Sequence, residues 1–185
     1  MINLDMRDTF FKEVYSIAKK DKNLFVVSVD YGAPMLDRIR NDFPNQFINA
    51  GISEQNAVSL SAGMANDKKK VILYSINSFL VFRALEQLKL DISYNSNPIT
   101  IVTVGPGFAY GVAGPTHHSI EDVSILNSIS GINLYSPSDT NTVKFLSHKV
   151  VNSKSTNYMR LERGHLKKFP FTKKDYDNGY RSIKQ

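Results

Sequence analysis

Short apolar, β-branched runs recur along the chain at 24–29 (L-F-V-V-S-V), 71–76 (V-I-L-Y-S-I), 99–104 (I-T-I-V-T-V) and 132–135 (I-N-L-Y). A weaker run follows at 156–161 (T-N-Y-M-R-L). Runs that are apolar at nearly every position suit strands covered on both faces of a parallel sheet. The intervening segments carry the wider spacing of amphipathic helices. Residues 6–20 put Phe10, Val14 and Ile17 on one face, and 53–66, 79–94, 119–130 and 139–152 read the same way. Strand alternating with helix predicts a doubly wound α/β fold, with a mostly parallel sheet of about six strands and helices on both faces. Ser53 is placed to cap the helix that begins Glu54-Gln55-Asn56, and Ser138-Asp139 to cap the one at 139.

Length and composition narrow the picture. The 185 residues suffice for one well-buried domain and are short for two. Residues 1–164 read as that domain. Residues 165–185, polar, aromatic and basic without periodicity, read as a linker-like tail. At 42% hydrophobic and 22% charged, the chain is neither disordered nor collagen-like nor a coiled coil. The net charge of +6 raises a nucleic-acid reading. The basic residues gather at Lys68-Lys69-Lys70 and from Arg160 to Lys184, without aromatic interleaving. Such clusters read as solvated surface, with sites for anionic small molecules the next class. The lack of cysteine excludes a disulfide scaffold, a thiolate zinc site and a cysteine nucleophile. No apolar run reaches the roughly 18 residues of a membrane span, and the start lacks the pattern of a signal peptide. A cytoplasmic location is expected.

Open α/β sheets bind ligands at the carboxyl ends of their strands. That directs attention to loops 30–33, 49–53, 76–79, 104–118 and 161–164, where three constellations stand out. The first is Gly51-Ile52-Ser53-Glu54-Gln55-Asn56, followed by a helix rich in Ala, Ser and Gly. An acidic residue in a first turn is favoured by the helix dipole in any protein. The small residues behind it also suit a tightly packed interface with Glu54 at one end. The second is the loop Gly105-Pro106-Gly107-Phe108-Ala109-Tyr110-Gly111-Val112-Ala113-Gly114-Pro115-Thr116-His117-His118. It is no dinucleotide fingerprint or P-loop, but loops this long in compact domains are usually functional. It reads as a long ordered loop or a lid. Its adjacent histidines cannot readily share one metal, and no metal-ligand set is read in this chain. The third is Ser78-Phe79-Leu80-Val81-Phe82, whose aromatics three apart suit either core packing or a flat apolar pocket for a heteroaromatic ring. No Gly-Asp-Gly motif for Mg²⁺ and diphosphate occurs.

Taken in order, G-I-S-E-Q-N at 51–56, S-F-L-V-F at 78–82 and G-P-T-H-H at 114–118, supported by Val29-Asp30, resemble the pyrimidine-binding (middle) domain of the transketolase family. The resemblance runs from about Arg7 to Gly164. It implies thiamine diphosphate as cofactor, and Asp30 at the end of the first strand is placed among the cofactor-binding residues. Glu54 would hydrogen-bond N1′ of the aminopyrimidine. For that it must carry a proton, which burial at a subunit interface favours. Phe79 and Phe82 would line the pyrimidine ring. His117 would move or polarise protons on the donor sugar. Arg7, Arg160 and Arg163 would hold a substrate phosphate, to which bidentate arginine is suited.

The resemblance further implies a split enzyme. This chain would be its C-terminal subunit, truncated before the third domain. A partner carrying the pyrophosphate-binding domain would supply most of the Mg²⁺ site, in an α2β2 assembly. The expected reaction transfers a two-carbon ketol unit from a ketose or its phosphate to an aldose. Acyl transfer from pyruvate, as in 1-deoxy-D-xylulose-5-phosphate synthase, is the alternative, as is a non-catalytic assembly or regulatory subunit. Two positions depart from the family pattern. Ala113 stands where an Asp usually contacts a sugar hydroxyl, and Leu85 stands where a third aromatic is usual. The first points to a specialised donor, such as a deoxy or modified sugar.

Overall fold

The computed structural model describes residues 5–164 together with 172, 174 and 175. The expected tail, 165–185, lies outside the described residues apart from those three. Six strands form one sheet, all parallel: β1 (Leu24–Ser28), β2 (Phe47–Asn49), β3 (Lys70–Ile76), β4 (Ile99–Val104), β5 (Ile132–Tyr135) and β6 (Thr156–Leu161). Their spatial order is β2-β1-β3-β4-β6-β5. The central strands are the apolar runs of the sequence, and β4 is buried at all six positions. That is what burial on both faces demands.

Helices α1 (Met6–Ala18), α2 (Pro34–Asp42) and α7 (Thr140–Val151) cover one face. The core there joins Met6, Phe10, Phe11 and Val14 to Leu36, Ile39, Tyr74 and Val143. Helices α3 (Glu54–Asn66), α4 (Asn77–Arg83) and α6 (Asp122–Asn127) cover the other, with α5 (Leu85–Gln87), which runs on as a π-helical turn over Leu88–Tyr94. Ala57, Val58, Leu73, Leu80, Ile101 and Tyr158 meet in that second core.

Several elements differ from their expected form. β2 and α2 are not separable in the sequence pattern. β2 is three residues on the sheet edge, and α2 starts on Pro34, whose missing N–H is harmless at a first helical position, and buries only Leu36 and Ile39. The expected helix over 79–94 is broken at Ala84, whose backbone (φ −116, ψ 24) leaves the α region. The expected helix over 119–130 shortens to Asp122–Asn127. Asp139 does cap α7, accepting from the Thr142 N–H at 2.8 Å. Ser53 sits at the N-cap position of α3 but makes no capping bond. Its hydroxyl instead donates to the Ala50 carbonyl at 2.6 Å, across the tight turn at Gly51 (φ 73).

Candidate active site

The strand order reverses beside β1 and again beside β6, and every strand-to-helix loop opens at the same end of the sheet. Such reversals leave a crevice outside the carboxyl ends of the strands. Glu54 stands there as the first residue of α3, only 5% exposed. The helix N-terminus favours a carboxylate at this point. An open cleft of about 610 Å³ lies against it, lined by Ile52, Ser53, Glu54, Gln55, Asn56 and Arg83.

Arg83 is the last residue of α4. Its Nη1 lies 2.8 Å from Glu54 Oε1. The same guanidinium lies over the ring of Phe79, 4.0 Å from its centroid. One helical turn separates Phe79 from Arg83, which puts both on one face of α4. Phe82, three residues from Phe79, is 42% exposed. Glu54, Phe79 and a planar cation thus form one contiguous unit, although they come from two helices.

The long loop after β4 folds back on the sheet. Gly105 has φ +81, and a Cβ there would lie 2.1 Å from the Tyr110 ring. The glycine therefore serves two needs, a left-handed backbone and room for the aromatic ring. Gly107 and Ser119 pair to close the base of the loop. The Tyr110 hydroxyl donates to that of Tyr31 at 3.2 Å, and Arg163 stacks over the Tyr110 ring at 4.5 Å. Burial, then the hydrogen bond with Tyr31, pushes the Tyr110 phenol above its ordinary value of 10.0, so it remains a neutral donor. His117 sits between Phe79 (centroids 4.8 Å apart) and Tyr110 (5.4 Å), with Thr116 Oγ1 3.0 Å from its Nδ1.

Beneath this loop runs a buried polar network. Asp122, the first residue of α6, has no exposed surface. It accepts from Asn77 Nδ2 at 2.8 Å and from the Tyr158 hydroxyl at 3.1 Å. Arg160 Nη1 lies 3.0 Å from its other oxygen, an ion pair without hydrogen-bond alignment. Ser119 donates to Asn77 Oδ1 at 2.8 Å, and Thr103 donates to Tyr158 at 2.9 Å. The network ties the loop to β4, β6 and the start of α4, and so fixes where Phe79 and His117 meet.

The structure brings Glu54, Phe79, His117 and Arg163 into one chain of contacts, through Arg83 and Tyr110. The other expected residues lie differently. Asp30 (φ 45) is exposed, and it exchanges hydrogen bonds of 3.2 Å with Asn49 on the edge strand. Arg7 lies 3.5 Å from both Asp5 and Asp8. Arg160 is turned inward on Asp122. Arg83, Tyr110 and the Asp122 network are not singled out by the sequence reading. Arg83 follows directly on the aromatic motif and Tyr110 lies inside the glycine-rich loop, so both were within reach. Asp122 carries no local signal, since its partners come from separate segments of the chain.

Comparison with known proteins decides the family. Residues 3–168 match the family described as transketolase, pyrimidine binding domain. The chain belongs to that family. It is 36% identical over 158 residues to one subunit of the apulose-4-phosphate transketolase from Phocaeicola vulgatus, covering 85% of this chain and 51% of the relative. It is 30% identical over 156 residues to 1-deoxy-D-xylulose-5-phosphate synthase of Tropheryma whipplei, covering 84% of this chain and 24% of that enzyme. The fold matches that of a split-gene transketolase solved as an inactive beta4 tetramer, with a TM-score of 0.79 at 22% identity, over 90% of this chain and 54% of the other. The chain spans about half the length or less of the curated relatives it matches. No helix among the described residues is long and apolar enough to cross a membrane.

Proposed function

We propose that this chain is the pyrimidine-domain subunit of a split, thiamine-diphosphate-dependent transketolase-like enzyme of the cytoplasm. The reaction moves a two-carbon ketol unit from a ketose or its phosphate to an aldose. The single observation that carries this reading is the joint placement of buried Glu54 and Phe79 around one planar nitrogenous cation, at 2.8 and 4.0 Å. A carboxyl group and an aromatic face held within reach of one planar nitrogenous group are the two features an aminopyrimidine ring would use. The residues present therefore fit the ring of the cofactor.

When bound, thiamine diphosphate supplies the nucleophilic carbon that carries the two-carbon unit. Glu54 holds a proton at pyrimidine N1′. Phe79 gives the ring a flat apolar face, and exposed Phe82 extends it. His117, held between Phe79 and Tyr110, moves protons at the donor sugar's hydroxyls. Arg163 is half of an anion clamp whose other half is Arg7. Arg160 contributes by holding Asp122 rather than by touching substrate. Asp30 borders the cofactor from the β1 side. Mg²⁺ and the diphosphate are held mainly by a partner chain in an α2β2 assembly, with α3 at an interface. Exposed Ile52 and Leu60 on that side support this placement. Residues 1–164 are the working domain and 165–185 a linker. Ala113, together with the likeness to a subunit of an apulose-4-phosphate transketolase, favours a modified sugar as donor. Acyl transfer from pyruvate is the second reading, favoured by the likeness to 1-deoxy-D-xylulose-5-phosphate synthase.

The test is exchange of the C2 proton of bound thiamine diphosphate in the complex reconstituted with the co-expressed partner. Glu54→Gln keeps shape and hydrogen bonding but cannot supply the proton. Exchange should slow by about 10²–10⁴. Wild-type exchange in this variant would refute the reading. Ketol transfer without pyruvate consumption separates the first reading from the second.

A further inference from the structure

Resting on the reading of Glu54 and Phe79 as the ring site, we propose that Arg83 is a built-in occupant of that site, which the cofactor ring must displace. The guanidinium fills both positions that define the pocket. It bonds the Glu54 carboxylate that lines the cleft at 2.8 Å and covers the face of Phe79 at 4.0 Å. A ring stacked on that same face of Phe79 and bonded to that oxygen of Glu54 would coincide with it. The two cannot be present together. The mimicry is one of place and shape, both groups being flat and nitrogen-bearing. The bond reverses on exchange, since the guanidinium donates to the carboxylate whereas pyrimidine N1′ would accept from a protonated Glu54.

The surroundings make the displacement feasible. Glu54 has a side chain only 6% exposed, whereas that of Arg83 is 48% exposed. The acid is fixed in the wall, and the cation reaches in from solvent. Arg83 is the final residue of α4, where the chain breaks from helical geometry at Ala84. Its long side chain can swing out to water without moving the helix. In the closed arrangement it covers a buried carboxylate that would otherwise face the open cleft. Binding of the ring then proceeds from the minority of molecules in which Arg83 has swung away. The apparent dissociation constant rises as the open fraction falls.

The experiment is an NMR titration of the whole chain with 4-amino-2-methylpyrimidine, a probe that carries no phosphate, followed on the ring resonances of Phe79 and His117. Arg83→Met removes the competing plane and charge and keeps the aliphatic stem. Arg83→Met should bind the probe roughly fivefold more tightly than the parent, corresponding to a closed form about 80% populated. In the parent chain, added salt should tighten binding, because it screens the half-exposed ion pair. In Arg83→Met that salt effect should vanish. Equal or weaker binding by Arg83→Met, including none up to the solubility of the probe, would overturn the proposal. Glu54→Gln separates this outcome from failure of the ring site itself. If Glu54→Gln weakens binding while Arg83→Met fails to tighten it, the ring site stands and Arg83 is part of it rather than its competitor. If Glu54→Gln binds as the parent does, the ring-site reading falls and the proposal falls with it.

Discussion

Among the described residues, two helices begin on a carboxylate paired with an arginine, and the two pairs are built in opposite ways. Asp122 opens α6 and has no exposed surface. Asn77, Tyr158 and Arg160 all converge on it, and Arg160 itself is only 17% exposed. Glu54 opens α3 and is nearly as buried, but it borders an open cleft and is paired with an arginine that is half in water. The first carboxylate is surrounded by protein that cannot leave. The second is covered by a side chain that can. A buried acid held by several fixed partners ties a fold together, whereas one with a single removable partner is available to a ligand.

Removing the acids should expose that contrast most strongly. Asp122→Ala strands Arg160 and the Tyr158 hydroxyl inside the protein. The cost of breaking a buried pair from one side is about 3–5 kcal/mol. Glu54→Gln keeps an acceptor for Arg83 and forfeits a dipole contribution of about 0.3–1 kcal/mol together with the charge of a half-exposed pair contributing about 0–1 kcal/mol. Urea denaturation of both variants reads the difference. Equal losses would mean that Glu54 is as structural as Asp122, and the functional reading would lose its basis.

A second perturbation falls on the loop that joins the two regions. Gly105→Ala places a methyl group 2.1 Å from the Tyr110 ring and forces a side chain into positive φ. Overpacking and left-handed strain together should cost about 2–4 kcal/mol. Part of that cost should be recovered in Gly105→Ala/Tyr110→Ala, because the smaller side chain leaves only the backbone strain. A double-mutant cycle by thermal denaturation measures the coupling. Additive losses would show that the ring does not depend on the glycine.

The buried phenols, one of them in the network, should also answer to alkaline pH. Burial raises Tyr74 and Tyr158 above their ordinary value of 10.0, with the charge of Asp122 adding to the effect on Tyr158. Each phenol keeps its proton in the folded chain at a pH where the unfolded chain has lost it. Stability is therefore intact below pH 10 and falls as pH rises beyond it, by about 1.4 kcal/mol per pH unit for each tyrosine. Tyr158→Phe should reduce the slope by about a third, because burial raises Tyr110 as well. Denaturation midpoints at successive alkaline pH values test this, and an unchanged slope would mean that Tyr158 titrates alike folded and unfolded.

What is legible in the sequence follows the same division. Central strands announce themselves, because burial on both faces forces continuous apolar runs at 24–29, 71–76 and 99–104. The edge strand β2 does not, since three residues with one open side need no such run. Glu54, Phe79 and His117 stand out in the sequence because each lies within a short local motif, and the structure joins them through Arg83. The inward pairing of Arg160 is hidden from the sequence, because its partner Asp122 is about 38 residues away and gives no local sign. Arg83 escapes notice for a related reason. Its meaning comes from reaching across to Glu54, a contact set by how α3 and α4 pack and not by any spacing along the chain. The helix over 79–94 reads as continuous because its apolar periodicity persists through Ala84, where packing of the turn overrides it.

The smallest expected effect sharpens the comparison furthest, because it isolates the two arginines. Arg83→Met removes a pair that is open to water on the arginine side. Measured exposed pairs contribute about 0–1 kcal/mol, and salt screens them. The loss should stay under about 1 kcal/mol at low ionic strength and shrink further as salt is added, since the cleft gives solvent access to Glu54 once the arginine is gone. Arg160→Met has no such relief. It leaves Asp122 charged in a fully buried site, and the loss should be several-fold larger and nearly independent of salt. Denaturation of both variants at low and high salt distinguishes them. If Arg83→Met proved as costly as Arg160→Met, Arg83 would be a fixed wall of the pocket. A cofactor ring would then have to bind beside it instead of in its place.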